Sequence, residues 1–140
     1  MSKQQLGDAD PVRFAVVGLG HIAQTAVLPA FANAKNDCRL AAVVSDDMET
    51  AHKVADIYGV GHVVAYDDYD RFLNSGEVDA VYIALPNSLH CDYTVRAAKA
   101  GVHVLCEKPM AVTEAECRRM ITACRRAKVK LMIAYRLHFE

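Results

Sequence analysis

The sequence contains no tryptophan, and its charges nearly cancel, since 16 Lys and Arg residues stand against 17 Asp and Glu. A chain without a basic excess has no electrostatic reason to bind nucleic acid or an anionic membrane surface. No apolar run in the sequence approaches the roughly 20 residues that a membrane-spanning helix requires. We therefore expect neither nucleic acid nor a membrane as a partner.

Disulfide and metal patterns are missing as well. The five cysteines form an odd number, and no two of them have the C-x-x-C spacing of zinc sites and redox motifs. No two histidines have the H-x-x-x-H spacing either, so we expect no metal. Reduced thiols fit a cytoplasmic protein, and the polar residues 1–10 lack the apolar core of a secretory signal. The sequence thus predicts an ordinary cytoplasmic domain.

Short apolar runs alternate with longer helical patterns along the 140 residues, a length that suits one domain. Several runs are apolar at nearly every position, which is typical of parallel strands covered on both faces. The alternation predicts βαβ units and a doubly wound α/β fold of Rossmann type over 12–140, after a flexible N-terminus, 1–11. The predicted strands are Arg13–Gly18, Arg39–Val44, His62–Ala65, Ala80–Leu85, His103–Cys106 and Lys130–Ala134. The predicted helices are Ile22–Ala34, Met48–Tyr58, Tyr69–Leu73, Ser88–Ala100 and Glu114–Lys128.

Two of these helices carry additional local signals. Thr113 and Glu116 have the T-x-x-E spacing of a capping box at the start of the last helix. Pro29 lies inside the first helix, where a proline lacks a backbone N–H and its ring collides with the preceding turn. We therefore expect a kink in the first helix about one turn before Pro29.

One glycine-rich turn stands directly between an apolar strand and the helix that follows it. Its sequence is Gly18-Leu19-Gly20-His21-Ile22-Ala23, a G-x-G-x-x-A pattern. Gly18 permits the tight turn, Gly20 lets a pyrophosphate approach the backbone, and Ala23 allows close packing of helix on strand. The helix start would add unpaired N–H groups and a positive dipole end. An ordinary βα turn is the alternative, but the later βα units favour dinucleotide binding, with His21 facing either the pyrophosphate or solvent.

The end of the second predicted strand, Val43-Val44-Ser45-Asp46-Asp47, bears on the choice of cofactor. NAD enzymes commonly place an acidic residue there to bind the ribose 2′-hydroxyl. Ser45 at that position favours a 2′-phosphate, whereas Asp46 would repel one and could bind the ribose diol instead. The sequence therefore favours NADP and leaves NAD open. A polar turn that only caps the next helix is the third possibility.

Two later segments make the pattern more specific. The first, Ala80–His90, contains L-P-N-S-L-H, and the second, Ala100–Met110, contains E-K-P directly after a predicted strand. Together with Lys130–His138, they resemble the N-terminal domain of the glucose–fructose oxidoreductase, inositol dehydrogenase and rhizopine-catabolism family. The resemblance extends from Val12 to Glu140 and, within that family, is strongest to its glucose–fructose oxidoreductase branch.

The resemblance implies an oxidoreductase that transfers a hydride between a nicotinamide cofactor and a sugar or polyol. It also implies a C-terminal α+β domain that binds substrate and builds a homo-oligomer, and this domain is absent from the 140 residues. We therefore expect this chain alone to bind the cofactor without turning over substrate. A noncatalytic NAD(P)-binding sensor or regulatory module is the alternative, since the family also has transcription-regulating members.

The E-K-P segment has a role in chemistry by the same resemblance. Lys108 is the implied catalytic lysine, and Glu107 is implied to border the nicotinamide. A lysine ammonium there would polarise a sugar carbonyl or stabilise an alkoxide while the hydride moves. Without the resemblance, these three residues would favour an ordinary surface turn. Pro109 restricts the backbone of Lys108, and the peptide bond between them is a candidate for the cis form.

Further residues are implied to surround the cofactor. Asn87 and His90 belong to this group, although an N-cap for Asn87 and a helix-surface position for His90 are the alternatives. Tyr135 and Arg136 end the last predicted strand and would face the cleft, unless they are only polar strand ends. The full set of expected cofactor contacts is Gly18, Leu19, Gly20, His21, Ile22, Ser45, Asp46, Leu85, Pro86, Asn87, His90, Glu107, Lys108, Tyr135 and Arg136.

Overall fold

The computed structural model of the chain describes residues 10–135. Its strands are β1 (Val12–Val17), β2 (Cys38–Val44), β3 (His62–Val64), β4 (Ala80–Ile83), β5 (His103–Glu107) and β6 (Leu131–Ala134). They form one six-stranded sheet in the order β3-β2-β1-β4-β5-β6, and every pairing is parallel. The predicted doubly wound α/β fold is confirmed. Most of the predicted flexible N-terminus, 1–11, lies outside the described residues and stays a prediction.

The helices lie between consecutive strands, as the alternation predicts. They are α1 (Leu28–Asn33), α2 (Met48–Tyr58), α3 (Tyr69–Leu73), α4 (His90–Lys99) and α5 (Glu114–Ala127), with 3₁₀ turns at Tyr66–Asp68 and Asn87–Leu89. Apart from the start of the first helix, predicted and observed ends agree to within two residues, which is the usual scatter of frayed helix and strand ends. The capping box is present, because the Thr113 side chain accepts the Glu116 N–H and the Glu116 side chain accepts the Thr113 N–H.

The first helix departs from α geometry where the sequence predicts an interruption. A π-helical turn, Ala23–Val27, precedes α1, and Pro29 lies in the first turn of α1. The carbonyl four residues before Pro29 belongs to Thr25, inside the π turn, and this is the carbonyl with which a proline ring in a regular α-helix collides. The backbone therefore widens at the residue that the ring would otherwise meet.

The central strand β1 divides the core into two layers. Its side chains alternate between the faces of the sheet, so that Val16 joins one apolar cluster and Ala15 and Val17 join the other. The first cluster includes residues of the first helix and α2, and the second includes residues of α3, α4 and α5. Because β1 pairs with β2 on one side and β4 on the other, its carboxyl end is the point at which the strand order reverses and where such sheets bind ligands.

Within the described range, no helix is both long and apolar enough to cross a bilayer. Across residues 10–135, no three His, Cys, Asp or Glu side chains are grouped so that they could hold a metal ion. All five cysteines lie in this range as free thiols, and burial raises the pKa of Cys106 to about 12. A thiol with so high a pKa is almost fully protonated at neutral pH and is a poor nucleophile.

Candidate functional site

The glycine turn after β1 is built from two glycines with different tasks. Gly18 has a φ of +93°, and a Cβ there would lie 2.7 Å from the carbonyl oxygen of Ala84. This residue is therefore required by the protein's own backbone packing. A Cβ on Gly20 would meet nothing within 4 Å. Gly20 is exposed at the start of the first helix, so its lack of a side chain leaves the backbone N–H groups open to a ligand.

The neighbours of the two glycines fix the turn in place. The Gly18 N–H donates to the Val44 carbonyl (2.9 Å), and the Gln24 side-chain amide donates to the Leu19 carbonyl (2.6 Å). The Leu19 side chain is buried in the core, so only its backbone can reach a ligand, whereas His21 is exposed. Ala23 is fully buried, as close packing of helix on strand requires. The turn thus has the features that pyrophosphate binding needs.

The end of β2 carries a hydrogen-bonded polar turn. Ser45 is buried, and its hydroxyl oxygen accepts the Asp47 N–H (3.1 Å). The Asp46 carboxylate accepts the Tyr66 N–H (2.9 Å), which joins this turn to the loop after β3. The cap of α2 is Asp47, whose carboxylate accepts both the N–H and the hydroxyl of Thr50.

These hydrogen bonds bear on the alternative that the turn only caps the next helix. Hydrogen bonds from Thr50 lower the pKa of Asp47, so the capping carboxylate is ionised at neutral pH. Capping the next helix is therefore the task of Asp47, whereas Ser45 and Asp46 accept the Asp47 and Tyr66 N–H groups within the turn. The next lysine along the sequence, Lys53, forms an ion pair with Glu49 (2.6 Å).

A cavity of about 530 Å³ lies at the carboxyl ends of β4, β5 and β6. It begins beside the glycine turn and is lined by many of the residues that the sequence predicts as cofactor contacts. Its lining consists of Ile22, Ala84, Leu85, Asn87, Glu107, Lys108, Ala134 and Tyr135. Arg136, which we also expect here, lies outside the described residues.

A larger cavity of about 730 Å³ lies at the amino ends of β2 and β3. Its polar lining groups include His62 and Glu77, whose Nε2 and Oε2 atoms lie 3.8 Å apart. This cavity is on the side of the sheet opposite the glycine turn. We assign the functional site to the smaller cavity, because ligands of doubly wound sheets bind outside the carboxyl ends of the strands.

The Glu107-Lys108-Pro109 segment follows β5 and forms one wall of this cavity. The Lys108–Pro109 peptide bond is cis, which confirms that expectation. The Lys108 side chain is exposed, and no acidic side chain between residues 10 and 135 forms an ion pair with its ammonium group. Glu107 forms no ion pair with this ammonium group; one of its carboxylate oxygens accepts the Tyr82 hydroxyl (2.5 Å) and the other accepts the Lys108 backbone N–H (3.2 Å).

His90 joins the two loops that border the cavity. Its ring is 1% exposed, with Nε2 2.8 Å from the Leu85 carbonyl oxygen and Nδ1 2.8 Å from the Pro109 carbonyl oxygen. The alternative of a helix-surface histidine is therefore wrong: the 3₁₀ turn before α4 shifts the start of the helix, and His90 then points inward. Since both ring nitrogens contact backbone carbonyls, His90 supports the wall of the cavity from behind.

Asn87 does not cap α4. The cap residue of α4 is Leu89, the 3₁₀ turn that contains Asn87 is preceded by Pro86, and neither helix start has a side-chain cap bond. The N-cap alternative is thus wrong because Asn87 begins a 3₁₀ turn that precedes the helix. The Asn87 side chain is exposed at the cavity, and Tyr135 is 50% exposed at its other side.

Sequence reasoning missed two partners at the site, the Tyr82 hydroxyl on Glu107 and the Tyr66 N–H on Asp46. A tyrosine in an otherwise aliphatic strand is a weak signal for the first, since its hydroxyl needs a hydrogen-bond partner when it is partly buried. The second is a backbone contact from a loop, for which the sequence carries no signal. Direct cofactor contact remains a prediction for the expected residues, except that the His90 ring, 1% exposed and engaged at both nitrogens, is placed behind the wall of the cavity rather than at its surface.

Comparison with known proteins adds independent findings. The family described as "Oxidoreductase family, NAD-binding Rossmann fold" matches residues 12–135. D-xylose 1-dehydrogenase [NADP(+)] of Haloarcula marismortui is 39% identical over 139 residues, which are 99% of this chain and 38% of that protein. An aldose-aldose oxidoreductase structure from Caulobacter crescentus, complexed with glycerol, superposes with a TM-score of 0.88 at 45% identity, covering 93% of this chain and 39% of that one.

A third similar protein is the 3-ketoreductase KijD10 of Actinomadura kijaniata. The structure of its Y186F mutant, in complex with TDP-benzene and NADP, superposes with a TM-score of 0.80 at 32% identity, covering 89% of this chain and 37% of that one. The chain thus spans less than two fifths of the length of each of these relatives. What these proteins share with it is the part that contains the glycine turn and the E-K-P segment.

Proposed function

The chain belongs to the oxidoreductase family with an NAD-binding Rossmann fold, and we propose that the whole protein transfers a hydride between NADP and a sugar or polyol. The chain itself is the NAD(P)-binding domain of that family. Relatives named as a xylose dehydrogenase and an aldose-aldose oxidoreductase support the substrate class. The observation that carries the proposal is the exposed Lys108 ammonium, without an acidic partner in the described chain, in a cavity that begins at the glycine turn.

The residues of the site suit a dinucleotide that lies across the carboxyl edge of the sheet. The backbone at Gly20 and the start of the first helix bind the pyrophosphate, and the end of β2 receives the adenosine ribose. Asn87, Glu107 and Lys108, which line the cavity at β4 and β5, would border the nicotinamide half. When bound, the cofactor supplies the hydride acceptor or donor.

Lys108 acts on the oxygen of the reacting carbon. Its ammonium donates a hydrogen bond to a substrate carbonyl or hydroxyl and stabilises negative charge that develops on that oxygen. The His90 ring holds the carbonyl of Pro109, so the lysine is carried by an anchored loop. The group that accepts or donates the proton of the substrate hydroxyl comes, in this proposal, from a part of the protein beyond residue 140.

The choice of NADP rests on the end of β2. Ser45 stands where a carboxylate would exclude a 2′-phosphate, whereas Asp46, which keeps its negative charge while it accepts the Tyr66 N–H, is the feature that opposes this choice. The relatives named with NADP support the same choice. A homo-oligomer and a cytoplasmic location stay predictions, and sedimentation of the full-length protein would test the first of them.

The test uses the full-length protein and its Lys108→Ala variant. We expect NADP⁺ to bind more tightly than NAD⁺ in titrations, and the protein to oxidise a member of a panel of aldoses and inositols. Lys108→Ala should lower kcat/KM by about 10²–10³-fold, the usual loss of one charge-stabilising donor, with NADP⁺ affinity unchanged. Lys99→Ala, at the far end of α4, is the matched control.

Two results would contradict the proposal. If Lys108→Ala weakens cofactor binding without affecting any turnover, the noncatalytic sensor is the better description. If wild-type protein binds neither nucleotide, the assignment of the glycine turn is wrong. Tighter binding of NAD⁺ than of NADP⁺ would overturn only the choice of cofactor and would mean that Asp46 binds the ribose diol.

A further inference from the structure

A tyrosine of β4 holds the carboxylate that ends β5. Tyr82 pairs in register with Leu105, and Glu107 lies two residues further along the same face of the sheet, since side chains alternate with a period of two. The long tyrosine side chain therefore reaches this diagonal neighbour. Its hydroxyl donates to one Glu107 oxygen over 2.5 Å, a length typical of a strong hydrogen bond from a hydroxyl to a carboxylate.

The Glu107 carboxylate is fixed but not neutralised. Its second oxygen accepts the Lys108 backbone N–H, so both oxygens have a donor. No Lys, Arg or His side chain in the described part of the chain forms an ion pair with Glu107. Glu107 lines both the cavity of the site and an adjoining apolar groove of about 380 Å³. An oriented negative charge thus stands at the edge of the cavity.

The position of this charge matters under the proposed function, on which this inference rests. With the pyrophosphate at Gly20 and the adenosine ribose at Ser45, a dinucleotide extends its nicotinamide toward β4 and β5, the side on which Glu107 lies. The oxidised nicotinamide ring carries a positive charge, which it loses when it accepts a hydride. A carboxylate held nearby therefore stabilises the oxidised form more than the reduced form.

We propose that Tyr82 is a positioning residue, whose hydroxyl holds the Glu107 carboxylate at the nicotinamide end of the site. Through Glu107, it strengthens binding of the oxidised cofactor relative to the reduced one. Without this hydroxyl, the Glu107 side chain keeps only the bond from the Lys108 N–H and can rotate away. The pair Tyr82–Glu107 thereby shifts the equilibrium between the bound oxidised and reduced cofactor and leaves the equilibrium of the overall reaction unchanged.

The experiment measures dissociation constants of NADP⁺ and NADPH for the full-length protein, from NADPH fluorescence and its displacement. The variants are Tyr82→Phe, Glu107→Gln and the double variant, with Tyr58→Phe on α2 as the control for loss of a distant tyrosine hydroxyl. Glu107→Gln should lower the preference for NADP⁺ by about tenfold, as expected for removal of one nearby charge. Tyr82→Phe should lower it by about threefold, and the double variant should match Glu107→Gln.

A merely structural role of the Tyr82 hydroxyl would affect both nucleotides equally and leave their ratio unchanged. An unchanged ratio in Tyr82→Phe, with a changed ratio in Glu107→Gln, would overturn the role of Tyr82. An unchanged ratio in both would overturn the inference entirely, while binding of the nucleotides would leave the proposed function standing. Failure of wild-type protein to bind either nucleotide would instead overturn the proposed function and this inference with it. Glu107→Gln keeps the side-chain shape, so its result stands even if Tyr82→Phe does not fold.

Discussion

The two ends of the parallel sheet use polar side chains in opposite ways. At the amino end, Arg13 donates from its guanidinium to both oxygens of Asp79 and to the Gly76 carbonyl, at 2.7–3.0 Å. His103 accepts the Lys130 N–H over 3.0 Å. These groups satisfy one another, and together they tie the start of β1 to the loop before β4 and the start of β5 to the start of β6.

At the carboxyl end, several polar side chains have no such partner. The side chains of Lys108, Asn87 and His21 are exposed, and none of them forms a hydrogen bond or ion pair with another residue of the described range. The difference separates two uses of polarity in one sheet. Polar groups that form hydrogen bonds with each other stabilise the fold, whereas polar groups without protein partners beside a cavity are available to a ligand.

The sharpest test of this comparison uses the two glycines of the turn after β1. Gly18→Ala should lower the free energy of unfolding by about 3 kcal/mol, because its positive φ and its contact with the Ala84 carbonyl both exclude a side chain. Gly20→Ala should leave stability within about 0.5 kcal/mol and weaken cofactor binding by about tenfold or more. Urea unfolding and fluorescence titration measure the two effects. Full cofactor affinity in Gly20→Ala would mean that the pyrophosphate does not approach this residue.

A matched pair of histidines compares the two ends directly. His90→Phe removes the ring nitrogens that contact two backbone carbonyls, so we expect a loss of about 2 kcal/mol in stability and about a tenfold fall in kcat with little change in KM. His103→Phe, at the amino end, should cost about 1 kcal/mol and leave kcat unchanged. Thermal unfolding and steady-state kinetics of the full-length protein provide both readouts. Equal kcat in the two variants would show that His90 does not help to place Lys108.

The smallest expected effect is at Asp79. Its hydrogen bonds from Arg13 lower its pKa in the folded protein, so the stabilisation is complete above about pH 4 and is lost as the pH falls through the lowered value. Asp79→Asn should therefore lower Tm by roughly 3 °C at pH 7, by less in acid, and should leave cofactor affinity unchanged. Glu49→Gln, in the exposed pair with Lys53, is the control and should have no measurable effect. A fall in cofactor affinity without a change in Tm would contradict the conclusion that polar groups at the amino end serve stability and not ligand binding.

The sequence predicts the fold well because its strands and helices differ in period and are bounded by glycine, proline and capping residues. The glycine turn and the E-K-P segment are local motifs, so they too can be located from the amino-acid order alone. The burial of His90 and the bond between Tyr82 and Glu107 could not be predicted. The first depends on a 3₁₀ turn of three residues, and the second on the register of two strands whose bonded side chains are 25 positions apart.

The close contact of Gly18 with the Ala84 carbonyl has one more consequence. A Cβ on Gly18 would lie 2.7 Å from the Ala84 carbonyl oxygen and 3.0 Å from Cδ2 of Leu85, so the glycine turn and the loop that leads to Asn87 pack directly against each other. The spacing between this turn and that loop is therefore set mainly by the packing of their main chains. Leu85 is the buried side chain beside this contact, so a substitution there would alter the spacing more directly than one elsewhere in the core.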